Sequence, residues 1–442
     1  MIDVKLLREN PAPFYESCRK RGFGKEELDR FFALDTTWRE NLKKINDMKR
    51  RKNAITQEIA RTVKSGGSPD QSRAEVRIIN EGIDALERDQ AVVEKEREDV
   101  LSLIPNLIHQ SVREGKGDDE NKFIRFWGEA RVFGSDMDEF KLRTEGKGKA
   151  TTIAKKPMSH VDLEEKLGLV DLERAGKIAG ARFFYIKGRL LKLELALINY
   201  TIDFLADRAY VPVEPPYMMK YDSMARATDI ETFKESLYKI EGEDLYLIAT
   251  SEHPIAAMLS DEILMPEDLP IRFAGLSPCF RREAGAHGKD TKGIFRVHQF
   301  NKVEQFVFCK PEDAEDFLEE LIGNAEAIIQ SLNLPYRVID FCSGELSRLN
   351  ARKYDLEVWF PSQGKFREVV SASNNTDFQA RSLNIRYRTP EGNRFVATLN
   401  STALALQRIL VAIMENYQSE DGNEIIVPEA LIPYTGFSRI SA

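Results

Sequence analysis

Two short segments combine the side chains that could hold a nucleotide beside an amino acid. Residues 280–283 read FRRE, and residues 296–304 read RVHQFNKVE after a loop rich in alanine, glycine and lysine. If both segments are strands, alternation along each strand places one chemical set on a single sheet face. That set is Arg281, Glu283, Arg296, Phe300 and Glu304. A guanidinium pairs with phosphate and a carboxylate holds an ammonium group, so this face is suited to a nucleotide beside an amino acid. A half-exposed hairpin with surface ion pairs would show the same alternation of charged residues.

The chain ahead of these segments predicts a long helical hairpin. Apolar residues recur in steps of mostly three and four from Trp38 to Val63, and again from Ile79 to Ile104. A polar break rich in glycine and serine, residues 64–70, separates the two stripes. Two such stripes around one turn are typical of an antiparallel coiled coil. At a rise of 1.5 Å per residue, each arm would be roughly 40–60 Å long.

The two arms differ in charge. Residues 38–64 contain nine basic and three acidic residues, whereas residues 70–100 contain five basic and ten acidic residues. Two interpretations fit this difference. Either the charges pair between the two helices, or the basic arm contacts RNA phosphates, which does not depend on the base sequence of the RNA. The candidates for RNA contact form one basic run: Lys49, Arg50, Arg51 and Lys52.

The rest of the chain predicts an antiparallel α+β fold. Helices are expected over 190–205, 313–332 and 403–417. Short strands are expected over 245–249, 271–276, 297–308, 356–360, 366–371 and 395–398. Strands that follow one another through short loops, with helices inserted singly, indicate an antiparallel sheet flanked by helices and not βαβ winding.

Three regions follow from these patterns. The chain divides into a helical-hairpin domain, 1–110, a linker with the start of the core, 111–185, and a larger α+β domain, 186–442. Within the middle region, we expect a linker at 114–121 and a loop at 145–156.

Composition narrows the class of protein. The formal net charge of −8 argues against a simple nucleic-acid coat protein, although the charge is segregated along the chain. The four cysteines form no C-x-x-C pair, so neither a thiolate zinc site nor a disulfide framework is indicated. No apolar run reaches about 18 residues, and no P-loop or dinucleotide-binding glycine motif occurs. We therefore expect a soluble, cytoplasmic protein without membrane contact. If it binds a nucleotide, it must do so without either of these glycine-rich phosphate-binding loops.

Five segments in order resemble the class II aminoacyl-tRNA synthetases in their seryl form. The FRRE segment, its loop and RVHQFNKVE look like motif 2 of that class. Other segments resemble the motif 1 dimer strand, the serine-binding T-x-E loop, the ATP- and metal-binding strand, and motif 3, at residues 209–216, 250–252, 368–381 and 398–408. The helical hairpin matches the tRNA-binding arm of the family. Ala209 stands where motif 1 commonly has glycine, and motif 3 lacks the glycine run of the wider class, as in other seryl enzymes.

The resemblance implies a role for each candidate residue. Arg281 would bind the α-phosphate of ATP and contact serine, and Arg408 would bind the γ-phosphate. Glu283 would hold the adenine amino group, Arg296 and Phe300 would enclose the ring, and Val297 would line the same site. Glu368 and Ser371 would hold Mg²⁺ between the phosphates, since oxygen ligands suit a hard cation. The serine ammonium and hydroxyl groups would be bound by Glu252 and Glu304, with Thr250, Asn400 and Thr402 as neutral partners.

The implied activity is that of a serine–tRNA ligase. Such an enzyme uses ATP to convert L-serine to seryl-adenylate, and transfers the seryl group to tRNA(Ser) with its long variable arm and, where present, to tRNA(Sec). The resemblance of motif 1 implies a homodimer. The resemblance implies a structural role for His298, and His287 lies in the loop between the two motif 2 segments, so neither is expected to act as a general base. The implied reaction needs no protein nucleophile.

Three alternatives predict different residues. A paralogue that loads a small amino acid onto a carrier protein would tend to lack the helical arm. A catalytically silent tRNA- or partner-binding protein would have lost residues that this chain retains: Arg281, Glu283, Glu304 and Arg408. A zinc-dependent seryl enzyme would need a cysteine ligand in the serine pocket.

Overall fold

The structure is a computed structural model that describes residues 1–283, 290 and 292–441. It divides into two compact units, Met1–Pro105 and Asn106–Ala442. His287 and most of the loop that joins the two motif 2 segments lie outside the described residues.

The first unit is helical and contains the predicted hairpin. Its helices are α1 (Val4–Glu9), α2 (Ala12–Lys20), α3 (Glu26–Lys64) and α4 (Asp70–Leu103). Helices α3 and α4 contain 39 and 34 residues, which corresponds to lengths of about 58 and 51 Å. The turn between them falls within the polar break, as the sequence predicts. Helix α3 begins twelve residues before Trp38, because the amphipathic pattern continues back to the buried Leu28 and Phe31.

The hairpin core is narrower than the apolar stripes predicted. Ile45, Ile55, Ile79 and Ile83 are buried, but Leu42 and Val63 are exposed. A buried carboxylate, Asp35, accepts hydrogen bonds from Arg8 at 2.6 and 2.8 Å and from Arg97 at 2.7 Å. This charged cluster fills a core position that hydrophobic periodicity does not predict.

The second unit contains eleven α-helices among its described residues. They are α5 (Met137–Arg143), α6 (His160–Lys166), α7 (Leu172–Ala179), α8 (Gly188–Ala206), α9 (Tyr221–Ala227), α10 (Ile230–Phe233), α11 (Glu252–Ala257), α12 (Ala314–Ser331), α13 (Phe378–Leu383), α14 (Leu406–Asn416) and α15 (Ile432–Thr435). Helices α8, α12 and α14 correspond to the three predicted helices.

The strands of this unit are mostly short. They are β1 (Lys122–Trp127), β2 (Glu129–Phe133), β3 (Lys149–Ile153), β4 (Val170–Asp171), β5 (Tyr185–Ile186), β6 (Val211–Val213), β7 (Met218–Met219), β8 (Tyr246–Leu247), β9 (Ile263–Leu264), β10 (Ile271–Phe280), β11 (Gln299–Cys309), β12 (Tyr336–Asp340), β13 (Arg352–Phe360), β14 (Lys365–Asn374), β15 (Arg386–Thr389), β16 (Gly392–Phe395), β17 (Ala397–Ala405), β18 (Glu424–Ile426) and β19 (Arg439–Ser441).

The main sheet has eight strands in the order β1-β12-β13-β14-β17-β11-β10-β6. All neighbouring strands are antiparallel except the pair β10 and β6. The buried faces of α8, α12 and α14 pack into the same hydrophobic core as the sheet. The predicted fold class, an antiparallel sheet flanked by single helices, is confirmed.

Two local predictions are wrong. Residues 145–156, predicted as a loop, contain β3, which pairs with β2 in parallel. The segments predicted to share one sheet face are also only partly strands, because β10 ends at Phe280 and β11 begins at Gln299. Arg281, Glu283 and Arg296 therefore lie beyond the strand ends, where the chain leaves the regular pleat, and Glu283 has a positive φ of 48°.

Within the described part of the chain, every helix is too short or too polar to cross a lipid bilayer. The four cysteines are buried free thiols.

Candidate active site

One cavity of about 490 Å³ opens on the main sheet of the second unit. All thirteen residues that the sequence predicted for ATP, serine and metal binding line it: Thr250, Glu252, Arg281, Glu283, Arg296, Val297, Phe300, Glu304, Glu368, Ser371, Asn400, Thr402 and Arg408. They come from β11, β14, β17, the start of α11 and the residues just before it, the first turn of α14 and the irregular segments beyond β10 and before β11. The fold thus brings residues 158 positions apart in sequence into one site.

One end of the cavity is acidic and dense in hydrogen bonds. The Nδ2 atom of Asn400 donates to Glu252 at 3.2 Å and to Glu304 at 3.1 Å, so one amide bridges the two carboxylates. Thr402 donates to Glu304 at 3.3 Å. The pairing register of β11 with β17 shifts between Val303 and Glu304, and as a result Glu304 lies opposite Thr402. Such irregularities re-aim side chains near functional sites.

The start of α11, which carries Glu252, can approach the sheet closely because Gly275 lies beneath it. A Cβ atom added at Gly275 would lie 2.4 Å from Ile255 and 2.8 Å from the Oγ atom of Ser251. Ser251 donates to the backbone carbonyl of Gly275 at 3.1 Å, and the Thr250 hydroxyl accepts from the backbone N–H of Glu252 at 3.2 Å. The close approach therefore requires glycine at this position and places Glu252 over the sheet.

Burial and charge repulsion both act on Glu252. Burial, and then the neighbouring charge of Glu304, raise the pKa of Glu252 to about 7, although Lys302 and Arg281 act in the opposite direction. A cationic group placed between the two carboxylates would relieve this repulsion. The acidic end is therefore suited to an ammonium group together with a hydroxyl donor.

Lys302 is a lining residue that sequence reasoning missed. Its Nζ atom lies 2.5 Å from Glu304, and its side chain is 7% exposed. It belongs to the predicted motif 2 segment and stands two residues before Glu304, so strand alternation placed it on the same face. The buried His253 also lines the cavity, and burial lowers the pKa of its imidazole to about 3, which keeps the ring neutral.

The middle of the cavity is built by the two motif 2 segments. The guanidinium carbon of Arg281 lies 5.3 Å from the centre of the Phe300 ring, and its Nε atom donates to the backbone carbonyl of Ala249 at 3.2 Å. Arg296 forms an ion pair with Glu283 at 2.7 Å. Arg281 is thus held beside an aromatic ring with its terminal nitrogens available to an anion.

His298 supports this arrangement from outside the cavity. The backbone N–H of Arg281 donates to the carbonyl of His298 at 2.9 Å, and the Nδ1 atom of His298 lies 2.8 Å from the Arg281 carbonyl. The imidazole stacks on Phe183 at 5.2 Å. These contacts continue the pairing of the two segments past the ends of β10 and β11.

The opposite end of the cavity carries positive charge. Arg408, in the first turn of α14, donates to the backbone carbonyl of Glu368 at 2.9 Å and lies 3.4 Å from its carboxylate. Its guanidinium carbon lies 5.3 Å from the centre of the Phe295 ring. Loss of solvation would by itself raise the pKa of Glu368. The positive charges of Arg408, Lys353 and Arg281 outweigh this effect and hold the pKa below its ordinary value. Glu368 therefore remains ionised beside Arg408.

The oxygen atoms near Arg408 fit a hard divalent cation. Glu368 and Ser371 lie on β14, and Asp355 pairs with Ser371 from β13. Residues 1–283, 290 and 292–441 contain no cluster of three or more histidine, cysteine, aspartate or glutamate side chains that could enclose a metal. Mg²⁺ commonly binds through one or two carboxylates and takes its other ligands from water and substrate phosphates. This donor set is consistent with Mg²⁺ that arrives with a nucleotide.

The four predicted RNA-contact residues belong to the first unit, on α3. Two of them form ion pairs with α4, Lys49 with Glu87 at 2.7 Å and Arg51 with Glu75 at 2.5 Å. The Arg50 side chain is 85% exposed and lies 3.9 Å from Asp47 on its own helix, and Lys52 is half-buried. Charge pairing between the arms therefore accounts for part of the basic run, and Arg50 faces solvent.

The segment that resembles motif 1 begins in a strained turn. Ala209, where the family commonly has glycine, has a positive φ of 63°. L-residues other than glycine rarely adopt this region. The chain then enters β6, which pairs with β10 in parallel, while Pro216 follows the strand.

Comparisons with known proteins agree with this geometry. Residues 1–108 match the family described as "Seryl-tRNA synthetase N-terminal domain", and residues 233–417 match "tRNA synthetase class II core domain (G, H, P, S and T)". A serine–tRNA ligase of Picrophilus torridus is 61% identical over 440 residues, which cover 100% of this chain and 99% of that protein.

Two solved structures are similar over the whole chain. The seryl-tRNA synthetase of Pyrococcus horikoshii, complexed with ATP, has a TM-score of 0.96 and 47% identity, with coverage of 100% of this chain and 99% of the other. The cytoplasmic serine–tRNA ligase of Naegleria fowleri, in complex with AMP, has a TM-score of 0.85 and 39% identity at the same coverage. The chain therefore belongs to the seryl-tRNA synthetase family of class II aminoacyl-tRNA synthetases.

Proposed function

We propose that this enzyme activates L-serine with ATP and transfers the seryl group to the 3′ end of tRNA(Ser). One observation carries the proposal: the bridged carboxylates of Glu252 and Glu304 lie in the same cavity as Arg281 and Arg408. An acceptor-rich end for an amino acid and a cationic end for phosphates are the two requirements of an enzyme that makes aminoacyl-adenylates.

The chemistry of activation is a displacement at phosphorus. A carboxylate oxygen of serine attacks the α-phosphorus of ATP, the bond from that phosphorus to the bridging oxygen breaks, and pyrophosphate leaves. Arg281 stabilises charge on the α-phosphate, and Arg408 binds the γ-phosphate. Their contribution is orientation and charge stabilisation, which preorganised donors supply without a protein nucleophile.

The nucleotide base would lie against the motif 2 segments. Phe300 and Arg296 enclose the adenine ring, Val297 lines the same wall, and the Glu283 carboxylate accepts from the adenine amino group. The ion pair between Glu283 and Arg296 at 2.7 Å supports this role, because it fixes both side chains before the nucleotide arrives.

Mg²⁺ would bind with ATP. Glu368 and Ser371 would hold it, and the ion would supply charge neutralisation to the phosphates. The proximity of Arg408 to Glu368 at 3.4 Å supports a shared phosphate site for the arginine and the metal ligand.

Serine would be recognised at the acidic end. The ammonium group binds between Glu252 and Glu304, the hydroxyl is bound by Glu304 and Thr402, and Arg281 contacts the carboxylate. Thr250 and Asn400 complete the pocket. A site built to pair with a hydroxyl rejects alanine strongly, because alanine leaves those buried groups unpaired.

The second reaction needs the RNA substrate. A terminal ribose hydroxyl of the tRNA attacks the carbonyl carbon of seryl-adenylate, and AMP leaves. The hairpin of α3 and α4 binds the long variable arm through Lys49, Arg50, Arg51 and Lys52, and tRNA(Sec), where present, is a second substrate. The enzyme acts as a cytoplasmic homodimer joined through the motif 1 segment.

Charging of purified tRNA tests this proposal. We expect the chain to attach labelled serine to a tRNA(Ser) transcript in the presence of ATP and Mg²⁺, and to lose most of that activity when the variable arm is shortened. A non-serine tRNA transcript is the control. Equal charging of both transcripts, or none with tRNA(Ser), would contradict the proposed RNA specificity.

A further inference from the structure

A buried glutamine lies directly behind the acidic end of the cavity. Gln379, on α13, is 1% exposed, and all four of its side-chain hydrogen-bonding positions are used. Its Nε2 atom donates to the carbonyl of Ala227 at 2.9 Å and to the Oε1 atom of Glu252 at 3.1 Å. Its Oε1 atom accepts from Thr398 at 2.7 Å and from Asn375 at 3.2 Å.

The same network reaches Glu304 by a second route. Asn375, also 1% exposed, donates to the Oδ1 atom of Asn400 at 3.4 Å. The Nδ2 atom of Asn400 then donates to both carboxylates. The side-chain amides of Gln379 and Asn400 thus donate three hydrogen bonds to Glu252 and Glu304.

The orientation of Gln379 is fixed by its neighbours. A backbone carbonyl can only accept a hydrogen bond, so the side of Gln379 that faces Ala227 must be the NH₂ group. The remaining N–H is then directed at Glu252. A reversed amide would leave the Ala227 carbonyl without this donor and place an oxygen against a carboxylate, and buried unpaired groups of this kind are costly.

We propose that Gln379 is a positioning residue for the amino-acid substrate, which holds the Glu252 carboxylate ionised and aimed at the substrate ammonium group. The inference rests on the proposed serine-activating function and deepens it. Gln379 does not line the cavity, so its effect on serine passes through Glu252. Gln379 lies within the segment 368–381 that resembles the ATP- and metal-binding strand, but the sequence did not assign it a role, because nothing in one sequence places α13 beside Glu252.

The charges that face Glu252 make such support necessary. Burial and Glu304 oppose its ionised form, whereas Lys302, Gln379 and Arg281 favour that form; the neutral His253 is its neighbour in sequence. Loss of the bond from Gln379 therefore shifts Glu252 toward its neutral state at a given pH. A neutral Glu252 binds the serine ammonium group less tightly, and ATP binding is unaffected.

The Gln379→Met variant tests the inference by ATP–pyrophosphate exchange. Methionine has a similar shape but donates no hydrogen bond. We expect KM for serine to rise about 10- to 100-fold, as for loss of a hydrogen bond to a charged group, while KM for ATP changes less than about threefold. The acidic limb of kcat/KM for serine is expected to move to higher pH, which a purely structural role of Gln379 would not cause.

Gln305→Met is a matched control. Gln305 is fully buried, donates to the Leu321 carbonyl at 3.1 Å and accepts from Asn324 at 3.0 Å, but it points away from Glu304 on the other face of β11. We expect this variant to lose stability without a change in the ratio of the two KM values. The milder Thr398→Val variant removes the donor to Gln379, and should raise KM for serine in the same selective way if Gln379→Met does not fold.

Two outcomes separate the inference from the proposed function. Unchanged KM for serine and an unchanged pH profile in both Gln379→Met and Thr398→Val, with an active wild-type enzyme, would overturn the inference alone. Absence of serine-dependent exchange in the wild-type enzyme would overturn the proposed function and the inference with it.

Discussion

The ammonium group of Lys302 lies 2.5 Å from the carboxylate of Glu304, and both side chains are almost completely buried. The two residues stand two apart on β11, so the pleat places them on the same face. Lys302 supplies a positive charge within a pocket that contains the carboxylates of Glu252 and Glu304. Lys302 thus offsets part of the repulsion between these two carboxylates.

Removal of this charge should destabilise the free enzyme. We expect Lys302→Met to lower the free energy of unfolding by about 3 kcal/mol, because it leaves a buried carboxylate without its ionic partner. Chemical denaturation of both proteins measures the difference. Lys177→Met is the matched control, since Lys177 pairs with Glu173 at 2.9 Å on the exposed surface of α7, where such pairs contribute less than about 1 kcal/mol. Equal effects of the two substitutions would contradict the account.

Arg281 should be essential for activation and dispensable for folding. We expect Arg281→Ala to reduce serine-dependent ATP–pyrophosphate exchange by at least about 100- to 1,000-fold, as for loss of one preorganised donor to developing charge. Arg281 is half-buried, and the Tm of the variant should stay close to that of the wild type. Arg282→Ala is the control, because Arg282 is exposed at the next position. Near-normal exchange in Arg281→Ala would refute the assignment of the phosphate site.

Arg50 should contribute to tRNA binding without affecting amino-acid activation. We expect Arg50→Ala to raise KM for tRNA(Ser) several-fold and to reduce the slope of log affinity against log salt by about 1, as for loss of one phosphate contact. Exchange without tRNA should not change. Arg77→Ala serves as the control, because Arg77 is equally exposed, at 83%, on α4. An unchanged salt slope in Arg50→Ala would remove Arg50 from the RNA surface.

A buried carboxyl outside the active site predicts a pH-dependent stability difference. Burial raises the pKa of Glu164, on α6, to about 7 from its ordinary value of 4.5. The folded state therefore holds a proton that the unfolded state has lost, so stability falls as pH rises from about 4.5 through 7. We expect Glu164→Gln to gain stability relative to the wild type between pH 5 and pH 8, by about 2 kcal/mol.

The neighbouring Glu165 provides the comparison for this effect. Glu165 is exposed on the same helix, and Glu165→Gln should show the same difference from the wild type at both pH values. Denaturant unfolding at pH 5 and pH 8 measures all three proteins. A Glu164→Gln difference that does not grow with pH would show that Glu164 is ionised in the folded state at both values.

Local patterns predicted the elements well and their ends less well. Hydrophobic spacing predicted the hairpin of α3 and α4, because a coiled coil is built from repeated local contacts. Strand alternation placed Phe300 and Glu304 on one face correctly, and would also have indicated Lys302. It failed for Arg281 and Glu283, because the end of a strand depends on where its neighbour stops.

Residues that act through tertiary contacts could not be predicted from one sequence. Gln379 contacts Glu252 across 127 positions, and Asp35 pairs with Arg97 across 62. No periodicity records such contacts. The resemblance to motifs of a known family, and not spacing alone, assembled the thirteen residues that the fold brings around one cavity.

The most direct test of the central claim is ATP–pyrophosphate exchange with each of the twenty amino acids, without tRNA. Exchange driven by serine, with alanine and glycine at least about 100-fold weaker in kcat/KM, is the result we predict, because both lack the hydroxyl that the side chains of Glu304 and Thr402 would bind. Exchange driven by glycine or alanine in preference to serine, or by no amino acid, would contradict the account.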